Sequence, residues 1–152
     1  GDLLRVKGAL GTFFLRDVAG KKLIFLATGT GIAPVKAMLE GLSEIPKCEQ
    51  PVSVAVYWGG RIPSDLYYEF SGFDLDFHFE PVLSRPSSDW LGKVGYVQNV
   101  LLSEGSDLNN TEVYACGSDA MIRSARELLV KAGLPEGSFY SDAFVSSGPV
   151  KK

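Results

Sequence analysis

Histidine and cysteine are nearly missing from this sequence, with one His and two Cys among 152 residues. That scarcity excludes much chemistry at once. Cys48 and Cys116 lie far apart and His78 stands alone, so neither a metal cluster nor a disulfide framework is expected, and a reducing cytoplasm is the expected setting. No obvious catalytic acid–base pair appears. Cationic charge is not in excess either: 15 Lys and Arg against 18 Asp and Glu leave −3, which is no electrostatic footprint for nucleic acid. The pairs Lys21-Lys22 and Lys151-Lys152 read as solvated positions. No apolar run approaches the ~20 residues of a membrane-spanning helix, and no leader-like pattern opens the chain, so no membrane partner is expected. Asn109-Asn110-Thr111 matches a glycosylation sequon, which without a secretion signal reads as chance. What remains, 45% hydrophobic and 22% charged, suits one soluble domain with a substantial core.

The pattern that is present alternates. Residues 22–27 (KLIFLA) read as a buried strand, and 32–42 carry helical spacing through Val35, Met38, Leu39 and Leu42. Residues 52–58 (VSVAVYW) form a second, continuous β-branched strand of the kind parallel sheets bury. Pro63 opens a short expected helix through SDLYYEF, with Tyr67-Tyr68 packing it. Strands follow at 76–83, 111–116 and 139–145, and helices at 97–102 and 119–132, the last stopped by Gly133 and Pro135. Five strands alternating with helices predict a doubly wound parallel sheet. The opening GDLLRVKGALGTFFLRD fits poorly and reads as the end of a preceding unit, joined through Val18-Ala19-Gly20.

Chemistry first shows in LIFLATGTGIAPVKAML, where an apolar strand meets Gly29-Thr30-Gly31 and becomes a helix. Glycine lets a phosphate approach the backbone, and the helix behind it offers unpaired N–H groups and a positive dipole end. The bland alternative is a tight strand-to-helix turn that needs glycine for backbone reasons alone. No Lys-Ser/Thr follows, which excludes a P-loop, and Pro34 replaces the third glycine of an ordinary dinucleotide fingerprint. After the second strand stands Arg61, where many NAD dehydrogenases and methyltransferases place an acid on the ribose.

Taken in order, GTGIAP, YWGGR with DLYY, YACGSDAMI and a closing YSDAF resemble the NAD(P)H-binding domain of the ferredoxin–NADP reductase family over residues 22–145. VLSRPSSDWLGKVGYV resembles the bacterial NADH-using iron–sulfur members. The resemblance implies a five-stranded sheet of order 3-2-1-4-5. It also implies residues 1–17 as the tail of a flavin-binding barrel and 18–152 as the NAD(P)H-binding domain. Gly29, Thr30 and Gly31 would cradle the pyrophosphate, with Ile32, Ala33 and Pro34 opening the helix. Gly60 and Arg61 would lie near the adenosine ribose. Cys116 and Gly117 would adjoin the nicotinamide, with Asp119 and Met121 also touching the cofactor, and Phe144 would cover the flavin. Ser84-Arg85 resembles the 2′-phosphate clamp of NADPH users, although only Lys93 and Tyr96 follow as its partners and Asp89 could neutralise Arg85. NADH is the expected donor, with NADPH open. FAD and a [2Fe-2S] centre would belong to a longer protein and not to this chain, which lacks the flavin-binding and four-cysteine signatures. The implied partners are the FAD domain of the same polypeptide and an electron acceptor protein, a pyridoxamine-dependent dehydrase among the candidates.

Two other functions stand beside that reading: an S-adenosylmethionine methyltransferase, disfavoured by Arg61, and a non-catalytic nucleotide-sensing module. On position alone Cys116 and Phe144 would be core residues, His78 a structural histidine, Arg61 a solvated loop residue, and Trp90 and Gly92 the packing of an edge loop.

Overall fold

The computed structural model describes residues 13–143. Its strands are β1 (Lys22–Thr28), β2 (Ser53–Gly60), β3 (His78–Leu83), β4 (Lys93–Val94), β5 (Thr111–Gly117) and β6 (Phe139–Ala143), all parallel, in the order β4-β3-β2-β1-β5-β6. Helix α1 (Ile32–Ser43) covers one face, and α2 (Val97–Ser103) and α3 (Asp119–Lys131) cover the other.

The central strands look uniformly apolar because both faces are buried, yet their side chains alternate strictly. From β1, Leu23, Phe25 and Ala27 pack with α1, while Ile24 and Leu26 join the core under α2 and α3. Trp58 of β2 and Tyr114 of β5 lie on the α1 face, while Tyr57, Val113 and Ala115 lie on the other. Each helix contributes its apolar stripe, such as Ile32, Val35, Leu39 and Leu42 of α1. The doubly wound architecture expected from the sequence is the one observed.

Three expectations need correction. The sheet has six strands, because Lys93 and Val94 pair with Val82 and Leu83 beyond β3. Two residues are too few to show a period. The expected helix after Pro63 is a single 3-10 turn, Pro63–Asp65, that ends at Leu66 with ψ 71°. Asp65 is instead tied back to the N–H groups of Arg61 and Ile62, at 2.7 and 3.3 Å. The aromatic residues beyond it form an irregular cluster, with the Phe70 ring 4.8 Å from Phe79 and 5.1 Å from Tyr68. Consequently β3 starts at His78 and not at residue 76. Phe144 and most of the expected barrel tail lie outside the described residues. Of that tail, Phe13 and Leu15 pack on the α1 face, and Arg16 N donates to the Tyr114 hydroxyl at 3.0 Å.

Candidate functional site

The carboxyl ends of β1, β2, β3 and β5 lie side by side, so the loops leaving them meet on one edge, where open α/β sheets bind ligands. A cleft of ≈ 860 Å³ opens there. Among the residues expected at a site, Gly29, Thr30, Gly60, Arg61, Ser84, Arg85, Gly117 and Met121 line it. Gly31, Ile32, Ala33, Pro34, Cys116 and Asp119 are not lining residues; they belong to the turn, the helix starts and the strand end behind the cleft wall. A second cleft, of ≈ 710 Å³, lies along the aromatic loop between Pro63 and Phe79 but includes neither the glycine turn nor a start of α1 or α3.

Gly29–Gly31 makes one 3-10 turn that leads into α1. Gly29 has φ +54°, and a side chain there would meet no atom within 4 Å, so the backbone is open toward the cleft. Gly31 is glycine for a different reason: a Cβ would strike the Cys116 carbonyl and stand 2.9 Å from Gly117 N. Gly117, at φ +140°, presses in turn on Thr28, where a side chain would lie 2.7 Å from the Thr28 carbonyl oxygen. The turn after β1 and the turn after β5 therefore interlock. Thr28 Oγ1 accepts from Ser118 N at 3.0 Å, and Ser118 Oγ caps α3 by accepting from Met121 N at 3.3 Å. Two helix N-termini thus converge on one opening, an arrangement that favours an anion.

The other end of the cleft is polar and cationic. Ser84 N and Oγ both donate to Gly60 O, at 3.0 and 3.3 Å, and Arg85 N donates to Arg61 O at 2.9 Å. This backbone zipper brings Arg61 and Arg85 to one cleft, both exposed. Among the described residues neither guanidinium is in an ion pair. Asp89 engages Ser87, whose hydroxyl holds the carboxyl below its ordinary range, and does not neutralise Arg85. Lys93 pairs with Glu104 at 3.1 Å, so of the two residues following the clamp only Tyr96 faces the cleft.

Cys116 is fully buried, and burial, helped by the Asp142 charge, pushes its thiol up to about 12. A thiol so held is protonated at neutral pH and is no nucleophile. Several lining residues escaped the sequence reading of the site, Gln98 and Tyr67 among them. Gln98 is only 4% exposed; its Nε2 donates to Ser124 Oγ at 3.0 Å while its Oε1 has no partner among the described residues. Tyr67 stands 61% exposed on the wall. The available signal for Gln98 was a polar residue at a core-facing position of VQNVLL.

Residues 25–127 match the family model described as oxidoreductase NAD-binding domain. The chain is 44% identical over 150 residues to the CDP-6-deoxy-L-threo-D-glycero-4-hexulose-3-dehydrase reductase of Yersinia pestis, covering 96% of this chain and 44% of that protein. It is 30% identical over 156 residues to the anthranilate 1,2-dioxygenase electron transfer component of Acinetobacter baylyi, covering 99% and 44%. Among solved structures, an Amycolatopsis cytochrome P450 reductase superposes with TM-score 0.75 at 22% identity, covering 93% of this chain and 44% of that one. The chain spans less than half the length of these relatives. Nothing among them supports the methyltransferase alternative.

Proposed function

We infer the function from membership: the chain belongs to the oxidoreductase NAD-binding domain family, in its ferredoxin reductase branch. It is the NAD(P)H-binding part of a flavoprotein oxidoreductase. The observation that carries this reading is the glycine turn, open at Gly29 above two converging helix starts. Gly29, Thr30 and Gly31 hold the pyrophosphate, with Ile32, Ala33 and Pro34 supplying the first turn of α1 behind it. Gly60 and Arg61 take the adenosine ribose. The nicotinamide lies toward Cys116, Gly117, Asp119 and Met121, and the flavin contact expected of Phe144 falls outside the described residues.

When bound, NAD(P)H would supply a hydride to a flavin. The chain's own residues orient the dinucleotide and exclude water; none needs to exchange a proton, in keeping with a neutral Cys116. FAD and an iron–sulfur centre would be held by other parts of a longer protein, as the family resemblance implies; two cysteines cannot by themselves supply the four thiolates of such a centre. The dehydrase reductase from Yersinia supports a dehydrase of a CDP-linked deoxyhexulose as the electron acceptor, which the family resemblance makes pyridoxamine-dependent and cytoplasmic. No helix among the described residues is long and apolar enough to cross a membrane.

NADH is the donor by resemblance to the bacterial iron–sulfur reductases. A second reading, NADPH, is favoured by one observation: Arg61 and Arg85 reach the same cleft without a carboxylate partner, beside Ser84. Arginine's planar fork suits a 2′-phosphate. Parallel titration of nitrogen-15-labelled protein with NADH and NADPH tests both. Shifts at Thr30, Gly31 and Gly117 with either ligand support the reductase reading, and stronger NADPH binding with Ser84 and Arg85 responding selects the second donor. Silence with both at millimolar ligand refutes the function.

A further inference from the structure

Trp58 is fully buried in the core between β2 and α1, yet its indole N–H reaches out of that core to donate to the Gly29 carbonyl at 3.2 Å. The same carbonyl accepts from Ile32 N. Both acceptor directions of Gly29 C=O are thus occupied from the protein side. In a trans peptide the N–H points opposite to the C=O, and no peptide among the described residues is cis. Anchoring the Gly29 oxygen therefore aims the Thr30 N–H away from the Trp58 indole and Ile32 N, and Thr30 itself lines the cleft. Glycine alone would not hold that direction, because it samples positive and negative φ with little preference. The turn needs a lock, and the indole is placed to be one.

The ring also faces the ligand side at second hand. Tyr67 packs edge-on against Trp58, with ring centres 5.2 Å apart and planes at 88°, and Tyr67 is an exposed wall of the same cleft. One buried side chain therefore touches both the glycine turn and the wall across from it.

We propose that Trp58 is a positioning residue for dinucleotide binding, which holds the Gly29-Thr30 peptide in its phosphate-receiving orientation and couples it to Tyr67. The proposal rests on the reading of the glycine turn as the pyrophosphate site. Its test compares ADP, which carries a pyrophosphate, with adenosine, which does not. Trp58→Phe keeps an aromatic ring in the core but deletes the N–H. It should weaken ADP binding about 5- to 10-fold, the loss of one hydrogen bond, and adenosine binding by less than about 2-fold. A merely structural role weakens both alike, and that outcome, or unchanged ADP binding, overturns the proposal.

A measurement without mutation guards against a variant that fails to fold. The protein has two tryptophans and so two indole N–H signals, with Trp90 bonded instead to Lys93 O at 3.1 Å. ADP should shift the Trp58 indole signal, although that side chain is fully buried, and leave Trp90 unmoved. A Thr30 amide that shifts while the Trp58 indole stays silent refutes the lock alone. No response anywhere to ADP refutes the pyrophosphate site and the lock with it.

Discussion

Replacing Gly31 by alanine separates two reasons for a glycine at a phosphate turn. Gly31 has φ −59° and ψ −12°, an ordinary helical conformation, so on backbone grounds alanine should stabilise by roughly 0.5–1 kcal/mol. Packing says the opposite. The new Cβ would collide with the Cys116 carbonyl and stand 2.9 Å from Gly117 N, and these are backbone atoms that no rotamer change can move. Either α1 lifts from β5 or the β5 end bends, at an overpacking cost of about 1–3 kcal/mol and toward the upper end because backbone must shift. The net expectation is destabilisation by ~2 kcal/mol, a fall in melting temperature of about 4–8 °C for a chain of this size. Gly29→Ala is the control. Its Cβ meets nothing within 4 Å, so its cost is the positive φ alone, about 1–2 kcal/mol, while the added methyl occupies space proposed for the ligand. Thermal unfolding followed by circular dichroism, with NADH titration of both variants, measures each effect. Gly31→Ala should lose more stability, and Gly29→Ala more affinity than its stability loss accounts for. A Gly31→Ala protein as stable as the wild type would refute the interlock between the two turns.

Arg85→Ala should weaken NADPH by ~1–2 kcal/mol, about 5- to 30-fold, and leave NADH within about 3-fold, whereas Arg61→Ala, which also loses the ribose contact, should weaken both donors; equal losses for both donors in calorimetric titration of Arg85→Ala would remove the 2′-phosphate assignment. Cys116 should resist iodoacetamide at pH 8 while exposed Cys48 reacts, as counted by mass spectrometry, because burial pushes the Cys116 thiol up to about 12. In an unfolded chain a thiol titrates near ~8.5, so the stability tied to its protonated form is complete below that pH and is lost as pH rises from there toward 12. Chemical denaturation midpoints should fall across that alkaline range and fall less in Cys116→Ala. Tyr114→Phe should cost ~1–3 kcal/mol in urea unfolding, since its hydroxyl joins Arg16 N at 3.0 Å to buried Glu112 at 2.8 Å and both would lose a partner.

How much of this was legible in the sequence follows from the range of the forces involved. The β1, β2 and β5 strands were readable because a strand buried on both faces is apolar over most of its length, and LIFLA, VAVYW and VYAC within them satisfy that alone. The two-residue β4 was not, since its existence depends on Val82 and Leu83 offering an edge and not on its own composition. SDLYYEF reads as a helix opened by Pro63, but the Phe70 ring found partners in Phe73, Phe77 and Phe79, and Asp65 spent its carboxylate on the loop before it. Gln98 and Tyr67 were missed at the site for the same reason: a polar or aromatic residue becomes a cleft residue only when distant chain packs around it.

The glycines show the limit most sharply. Sequence reasoning places Gly29, Gly31, Gly60 and Gly117 at the strand ends and assigns all four to ligand approach. In the structure only Gly29 of these is open. Gly31 and Gly117 lock β1 to β5, and at Gly60 a side chain would lie 2.9 Å from the Asp65 Cβ and 3.2 Å from Leu83. The phosphate-sized opening exists because the other glycines let strand ends and helix starts close in around it. A motif written as contacts to a cofactor is here also a packing motif. Loss of binding in a glycine variant therefore identifies a ligand contact only where folding stability is retained, and at Gly31 and Gly117 the interlock predicts that it is not.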